Sequence, residues 1–255
     1  MNYKEAFKLT GKVALITGAS KGIGEAIARF YAAYGAKVVI NSRKQEELDI
    51  VAKSIRETGG ECTGIAANAG DMKACQELIE KVISTYGGLD ILVNNAATNP
   101  TYGPLLNSEE WAFDKIMNVN VKAPFALANL AHPHMKKGGG GAVINISSIA
   151  GLTPDPGLGL YSVSKAALNM LTKVQAKEWG RDGIRVNTIC PGLIKTKFSE
   201  ALWSNEEILN RFVKKLPIAR MGTVEEVAGL ALYLASPVSG YCTGAVFTAD
   251  GGTIL

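Results

Sequence analysis

The chain has 255 residues, 47% hydrophobic and 20% charged, with a formal net charge of +4. That composition supports one large domain with a sizeable core; it excludes intrinsic disorder, and without any block of like charges it argues against a nucleic-acid partner. Four cysteines without metal-ligand spacing, no apolar signal core and no membrane-length apolar run lead us to expect a reduced, cytoplasmic protein with no metal site and no membrane span.

Short β-branched runs alternate with helix-period stretches. Lys12–Thr17 reads as a buried strand and Gly22–Tyr34 as a helix; Lys37–Ile40 and Lys44–Thr58 repeat the pair. Glu61–Ala66 is a weaker strand, and a helix near Lys73–Tyr86 ends at Gly87-Gly88. Ile91–Asn94 is a strand, followed by a long helical tract from about Ser108, its expected cap, to Lys137. After the turn Gly138–Gly141 come the strand Ala142–Ile146, the helix Tyr161–Gly180, the strand Arg185–Ile189, the helix Val224–Ala235 and the strand Ala245–Thr248. The alternation implies right-handed βαβ units, hence a Rossmann-type, doubly wound parallel α/β sheet of about seven strands with helices on both faces. No composition shift marks a second domain, so residues 1–255 are read as one.

Glycine is in excess, 28 of 255 residues against an average of about 7%. Three of them, Gly18, Gly22 and Gly24, join the first strand to the first helix, where a dinucleotide pyrophosphate sits in open parallel sheets. Gly18 permits the turn, Gly22 lets backbone approach phosphate, and Gly24 permits close helix–strand packing. The helix N-terminus adds free N–H groups and a favourable dipole.

The end of the second strand reads the adenosine ribose, through an acid for NAD or a cation for the 2′-phosphate of NADP. Here it runs Asn41-Ser42-Arg43-Lys44, with no acid until Glu46. A guanidinium holds phosphate in charge-assisted bonds, and Lys21 stands in the glycine loop, so NADP(H) is favoured over NAD(H). The plainer alternative is that Arg43 and Lys44 are solvated charges at a helix start.

Tyr161 and Lys165 stand at i and i+4 on one helix face. A nearby cation lowers the pKa of a phenol, bringing it toward acid–base use. Ser148, at the end of the fifth strand, can orient a substrate carbonyl. Alone, such a Tyr/Lys pair is commonplace; joined to Ser148 and the glycine loop it is a constellation.

These residues, with Thr17–Gly24, Asn94-Asn95-Ala96-Ala97, Asn120, Pro191-Gly192 and Asp250-Gly251-Gly252, make the chain resemble the short-chain dehydrogenases/reductases from about Leu9 to Gly252. Within them it is most similar to the NADP-dependent tetrameric carbonyl reductases related to retinol dehydrogenases, through Ser42–Gln45, Asn95–Pro100, Asn120–Pro124 and Pro191–Phe198. The resemblance implies that Tyr161 is the acid that protonates the carbonyl oxygen, Lys165 its pKa modulator and ribose ligand, Ser148 the substrate anchor and Asn120 the support of a proton relay. It places Ser20, Lys21, Ile23, Ser42 and Arg43 on the cofactor's adenosine side together with the three glycines. Asn95 and Ala96 line the adenosine ribose, and Pro191, Gly192, Ile194 and Thr196 bracket the carboxamide and pyrophosphate.

Three departures stand out. Ala97 replaces the glycine of the usual Asn-Asn-Ala-Gly, Asn68 replaces the aspartate that often meets adenine, and the C-terminal Thr253-Ile254-Leu255 is no peroxisomal address. Residues 193–215 correspond to the family's substrate lid. Leu152, Pro154, Phe198, Leu202 and Trp203 are candidates for an apolar wall selecting bulky aryl or alkyl carbonyls. Ala126, Leu127, Leu130, Leu168, Leu171 and Val174 are candidates for contacts in a homotetramer. The expected activity is an NADP(H)-dependent carbonyl reductase acting on a small carbonyl or alcohol. Two alternatives stay open: a 3-oxoacyl-thioester reductase receiving an acyl-carrier protein on Lys195, Lys197, Lys214 and Lys215, and a non-catalytic NADP-binding protein.

Overall fold

A computed structural model describes residues 5–204, 206–214 and 216–255, with the side chains of Ala201, Leu202, Glu206, Ile208, Arg211 and Phe212 outside that description. The strands are β1 (Val13–Thr17), β2 (Lys37–Ser42), β3 (Glu61–Ala66), β4 (Ile91–Asn94), β5 (Gly141–Ile146), β6 (Ile184–Pro191) and β7 (Val246–Ala249). All pair in parallel, in the order β3-β2-β1-β4-β5-β6-β7. The expected doubly wound sheet is therefore present. Its chain order reverses direction between β1 and β4, where such sheets open a ligand crevice at their carboxyl edge.

Two apolar layers cover the sheet. Ala14 and Ile16 of β1 face α1 (Gly22–Ala33), α2 (Gln45–Glu57) and α9 (Val224–Ala235), packing with Ile27, Tyr31, Leu48 and Val227. Val13 and Leu15 face α3 (Met72–Tyr86), α5 (Ala123–Lys137) and α6 (Gly159–Trp179), packing with Leu78, Val82, Leu127 and Ala176. The two-residue period of a strand sends alternate side chains to opposite layers, and both layers here are apolar, so β1 reads as a continuous hydrophobic run.

The tract expected from Ser108 to Lys137 is not one helix. It is α4 (Glu110–Met117), a π turn over Asn118–Lys122, and then α5. Glu109, not Ser108, occupies the N-cap of α4. The π turn is where Asn120 enters the interior: its amide donates to Thr98 O and to Ser164 Oγ, each at 3.0 Å, and its Oδ1 accepts from Thr98 N at 2.8 Å. Single π turns are found mostly at functional positions, and hydrophobic periodicity carries no signal for one. Within residues 193–215 lie two short helices, α7 (Glu200–Trp203) and α8 (Glu206–Val213).

Candidate active site

The glycine loop leaves β1 at Thr17 and enters α1 at Gly22. Gly22 has φ 65°, and a Cβ there would stand 3.5 Å from the Thr196 methyl, so the segment after β6 begins directly over the loop. Gly24 is a packing position: a Cβ would come within 2.6 Å of Gly18 O. The Asn95 amide points at the glycine turn. It donates to Thr17 O and Gly18 O, each at 2.9 Å, and so braces the turn from β4. Thr17 completes the brace by accepting from the backbone N–H groups of Asn95 and Ala96 at 3.1 Å.

Helix α1 starts without a side-chain cap, Lys21 standing exposed at its N-cap, whereas Asp71 caps α3 and a Thr223–Glu226 capping box closes the start of α9. Its first N–H groups are therefore left for an anion. At the end of β2, Ser42 Oγ is buried without a partner, and Arg43 is exposed with no ion pair among the described residues. Lys44, by contrast, pairs with Glu47 at 3.4 Å, and Glu47 also accepts from Ser20 Oγ at 3.1 Å. Those two bonds, Ser20 first, hold the Glu47 carboxyl below its usual range. An uncapped helix, an orphan hydroxyl and an unpaired guanidinium fit the pyrophosphate and 2′-phosphate of a dinucleotide. Asn68 accepts from Gly70 N at 3.1 Å and is exposed after β3. Ile23 packs against the core; Ile194 is buried, its Cδ1 lying where a Cβ on Gly222 would stand; Pro191 ends β6; Gly192 N–H donates to Ala249 O at 3.0 Å.

Ser148, Tyr161 and Lys165 converge at the carboxyl edges of β5 and β6. Ser148 opens a 3-10 turn (Ile149–Gly151), its Oγ accepting from Ala150 N at 3.1 Å. Tyr161 and Lys165 lie on the inward face of α6, at 9% and 2% exposure. Burial pushes the Tyr161 phenol up to about 12, against the lowering influence of a hydrogen bond with the Ser148 side chain. Burial also pushes Lys165 down to about 8. Its Nζ donates to Ile146 O at 2.9 Å and stands 5.5 Å from the centroid of the Tyr161 ring. Desolvation dominates the shifts of both groups, and the Ser148 side chain eases Tyr161 toward ionisation. Phe198, in the segment after β6, packs on Tyr161, ring centroids 6.1 Å apart.

Leu152 and Pro154 are exposed beside this site, but Trp203 belongs to the lid itself, its Nε1 donating to Thr196 O at 2.9 Å. The side chains of Ala201 and Leu202, and Lys215, lie outside the described residues.

Sequence reasoning missed a buried polar chain beneath the site. Asn94 Nδ2 donates to Asn145 Oδ1 at 2.8 Å, Asn145 Nδ2 to Thr172 Oγ1 at 2.8 Å, and Thr188 Oγ1 to Thr172 Oγ1 at 2.7 Å. It ties β4, β5, β6 and α6 together. Asparagines inside otherwise apolar buried strands were the available signal, since a buried amide has to find partners.

A seven-stranded doubly wound sheet with a serine, a tyrosine and a lysine gathered at its carboxyl edge defines a dinucleotide-fold oxidoreductase. The family model described as enoyl-(acyl carrier protein) reductase matches residues 18–253. Dehydrogenase/reductase SDR family member 4 of Oryctolagus cuniculus is 43% identical over 244 residues, covering 96% of this chain and 94% of that protein. A 7α-hydroxysteroid dehydrogenase solved with NADH and 7-oxo glycochenodeoxycholic acid superposes with a TM-score of 0.95 at 33% identity, covering 99% of this chain and 98% of the other. A gluconate 5-dehydrogenase from Burkholderia cenocepacia, solved with NADP and tartrate, gives 0.94 at 33% identity, covering 98% and 97%. The chain belongs to the short-chain dehydrogenase/reductase family. It is an oxidoreductase, and among the described residues no helix is long and apolar enough to cross a membrane.

Proposed function

We propose that the protein is an NADP(H)-dependent carbonyl reductase, reversible as an alcohol dehydrogenase. The observation that carries the reading is the buried Tyr161 phenol at the carboxyl edge of the sheet, eased toward ionisation by the Ser148 side chain, with Lys165 Nζ 5.5 Å from its ring centroid and Phe198 over it. A phenol held protonated at neutrality is an acid for a carbonyl oxygen. When bound, reduced nicotinamide supplies the hydride. Tyr161 donates its proton to the substrate oxygen, Ser148 orients that oxygen, and Lys165, charged below about pH 8, would hold the ribose hydroxyls. Asn120, held between Thr98 and Ser164, supports the relay by which a proton from solvent returns through Lys165 to Tyr161.

On the adenosine side, Ser42 and Arg43 hold the 2′-phosphate, the free N–H groups of α1 hold the pyrophosphate, and Lys21 adds charge beside them. Gly18, Gly22 and Gly24, with Ser20, Ile23, Asn68, Asn95, Ala96, Pro191, Gly192, Ile194 and Thr196, shape the rest of the groove. The apolar surroundings, Phe198 and Leu152, favour aryl or alkyl carbonyls over small polyols. A homotetramer is supported by an unpartnered apolar stripe on α6 and by a groove of about 780 Å³ beside it, lined by Val121, Phe125 and Leu171.

Initial rates with NADPH and NADH against an aromatic ketone, a diketone, retinal and a 3-oxoacyl thioester test the reading. NADPH with the aromatic ketone is expected to give the highest kcat/KM. A roughly tenfold preference for NADH, or for the thioester carried on acyl-carrier protein, would overturn it.

A further inference from the structure

Asn169 lies on α6 one helical turn beyond Lys165, and it is 6% exposed. An asparagine is a poor helix former, and a leucine would fill an apolar site without needing partners. Here both ends of the amide are engaged. Nδ2 donates to Gly151 O at 3.2 Å, and Oδ1 accepts from the Cys190 thiol at 3.7 Å. Burial pushes the Cys190 thiol up, so it stays protonated and able to donate.

The two partners belong to different segments of the site. Gly151 closes the 3-10 turn that Ser148 opens, and it lies flat on α6: a Cβ there would stand 2.7 Å from the Lys165 carbonyl carbon. Ser147 Oγ clasps the same peptide from the other side, donating to Lys165 O at 3.1 Å. Cys190 immediately precedes Pro191-Gly192 and the lid. One buried amide thus links the helix bearing Tyr161 and Lys165, the turn bearing Ser148, and the end of the strand that leads to the lid.

We propose that Asn169 is a positioning residue that, through Gly151 and Cys190, fixes Ser148 and the end of β6 against α6. The inference rests on the Ser148–Tyr161–Lys165 reading above. Hydride transfer with concerted protonation depends on sub-ångström alignment, so freeing the Ser148 turn lowers turnover more than binding. It also weakens the Ser148–Tyr161 hydrogen bond. The titratable groups facing Tyr161 are Lys165 from its own helix and Cys190 from β6, and neither is removed by a change at Asn169.

The test compares Asn169→Leu, Cys190→Ala and Cys190→Ser in the full chain, with Tyr161→Phe alongside. Asn169→Leu is expected to lower kcat roughly tenfold while KM for NADPH changes by less than about twofold. The pH at which alcohol oxidation rises should move upward, as the Ser148 bond that lowers the phenol's pKa is lost. Cys190→Ser, which keeps a donor, should retain kcat, and Cys190→Ala should lose it several-fold. That pair decides the matter if Asn169→Leu does not fold. A folded Asn169→Leu with unchanged kcat and pH profile, or equal kcat for the two cysteine variants, overturns the inference while an inactive Tyr161→Phe leaves the site reading standing. An active Tyr161→Phe overturns both.

Discussion

The Lys165 ammonium donates to Ile146 O at 2.9 Å and lies 5.5 Å from the centre of the Tyr161 ring, buried and with no carboxylate partner among the described residues. Its folded-state pKa of about 8 stands below the ordinary lysine value of 10.5. Below about pH 8 the side chain is charged both folded and unfolded, and its burial penalises the fold in full. As pH rises from there to 10.5, the folded state sheds the proton first and stability increases. Lys165→Met is therefore expected to stabilise the protein at neutral pH by roughly 1–3 kcal/mol while abolishing activity. Melting curves with no added cofactor at neutral and alkaline pH check this. A variant that melts lower than wild type at pH 7 refutes the account.

Tyr161→Phe removes the acid and leaves the ring under Phe198. A loss of roughly 100- to 10,000-fold in kcat is expected, with NADPH affinity nearly unchanged. In the wild type, with the phenol pushed up to about 12, ketone reduction should be flat through neutrality, and alcohol oxidation should climb steadily with pH. An oxidation rate that levels off near pH 7 would show that another group titrates in its place.

The strands and their parallel order were legible because each β element is a short β-branched run bounded by glycine or a helix-period stretch. The Ser148–Tyr161–Lys165 constellation was legible from the residues alone. Two features were not. The π turn at Asn118–Lys122 leaves the apolar periodicity around it intact, so a single helix fitted the pattern equally well. The direction of the Tyr161 shift depends on how deeply both partners are desolvated, which spacing on a helix does not contain.

Among the described residues Arg43 has no ion pair and can meet a 2′-phosphate, whereas Lys44 is paired with Glu47. Charge-assisted hydrogen bonds of this kind contribute about 1.5–3 kcal/mol, so Arg43→Ala should raise KM for NADPH by at least roughly tenfold. KM for NADH should change little. Parallel steady-state titrations with the two cofactors decide it, and equal increases for both would remove Arg43 from the phosphate site.

Gly24 offers a structural prediction independent of any ligand. A methyl group there would stand 2.5 Å from Asn95 Nδ2 and 2.6 Å from Gly18 O. The asparagine can retreat only by releasing Thr17 O and Gly18 O, so Gly24→Ala should destabilise by about 1–3 kcal/mol despite the better helix propensity of alanine. Urea denaturation measures the difference. A neutral or stabilised variant would mean that α1 can slide away from β1.

The last prediction concerns assembly. Val163, Ala166, Ala167, Met170, Leu171 and Val174 recur at three- and four-residue spacing on the outer face of α6, with Met170 58% exposed. Phe125, on α5 beside the groove, is 48% exposed. An apolar stripe of this length on a long helix is suited to the same stripe on a second copy, because a two-fold axis brings identical residues face to face. Met170→Glu would set two carboxylates against each other across that axis, an unpaired buried charge on each side. The wild type is expected to sediment as a tetramer and the variant as a smaller species with its fold intact. If both sediment as monomers, the α6 stripe is not an interface between copies of this chain. If both remain tetramers, the contacts lie on other faces, with the exposed edge of β7 the next to examine.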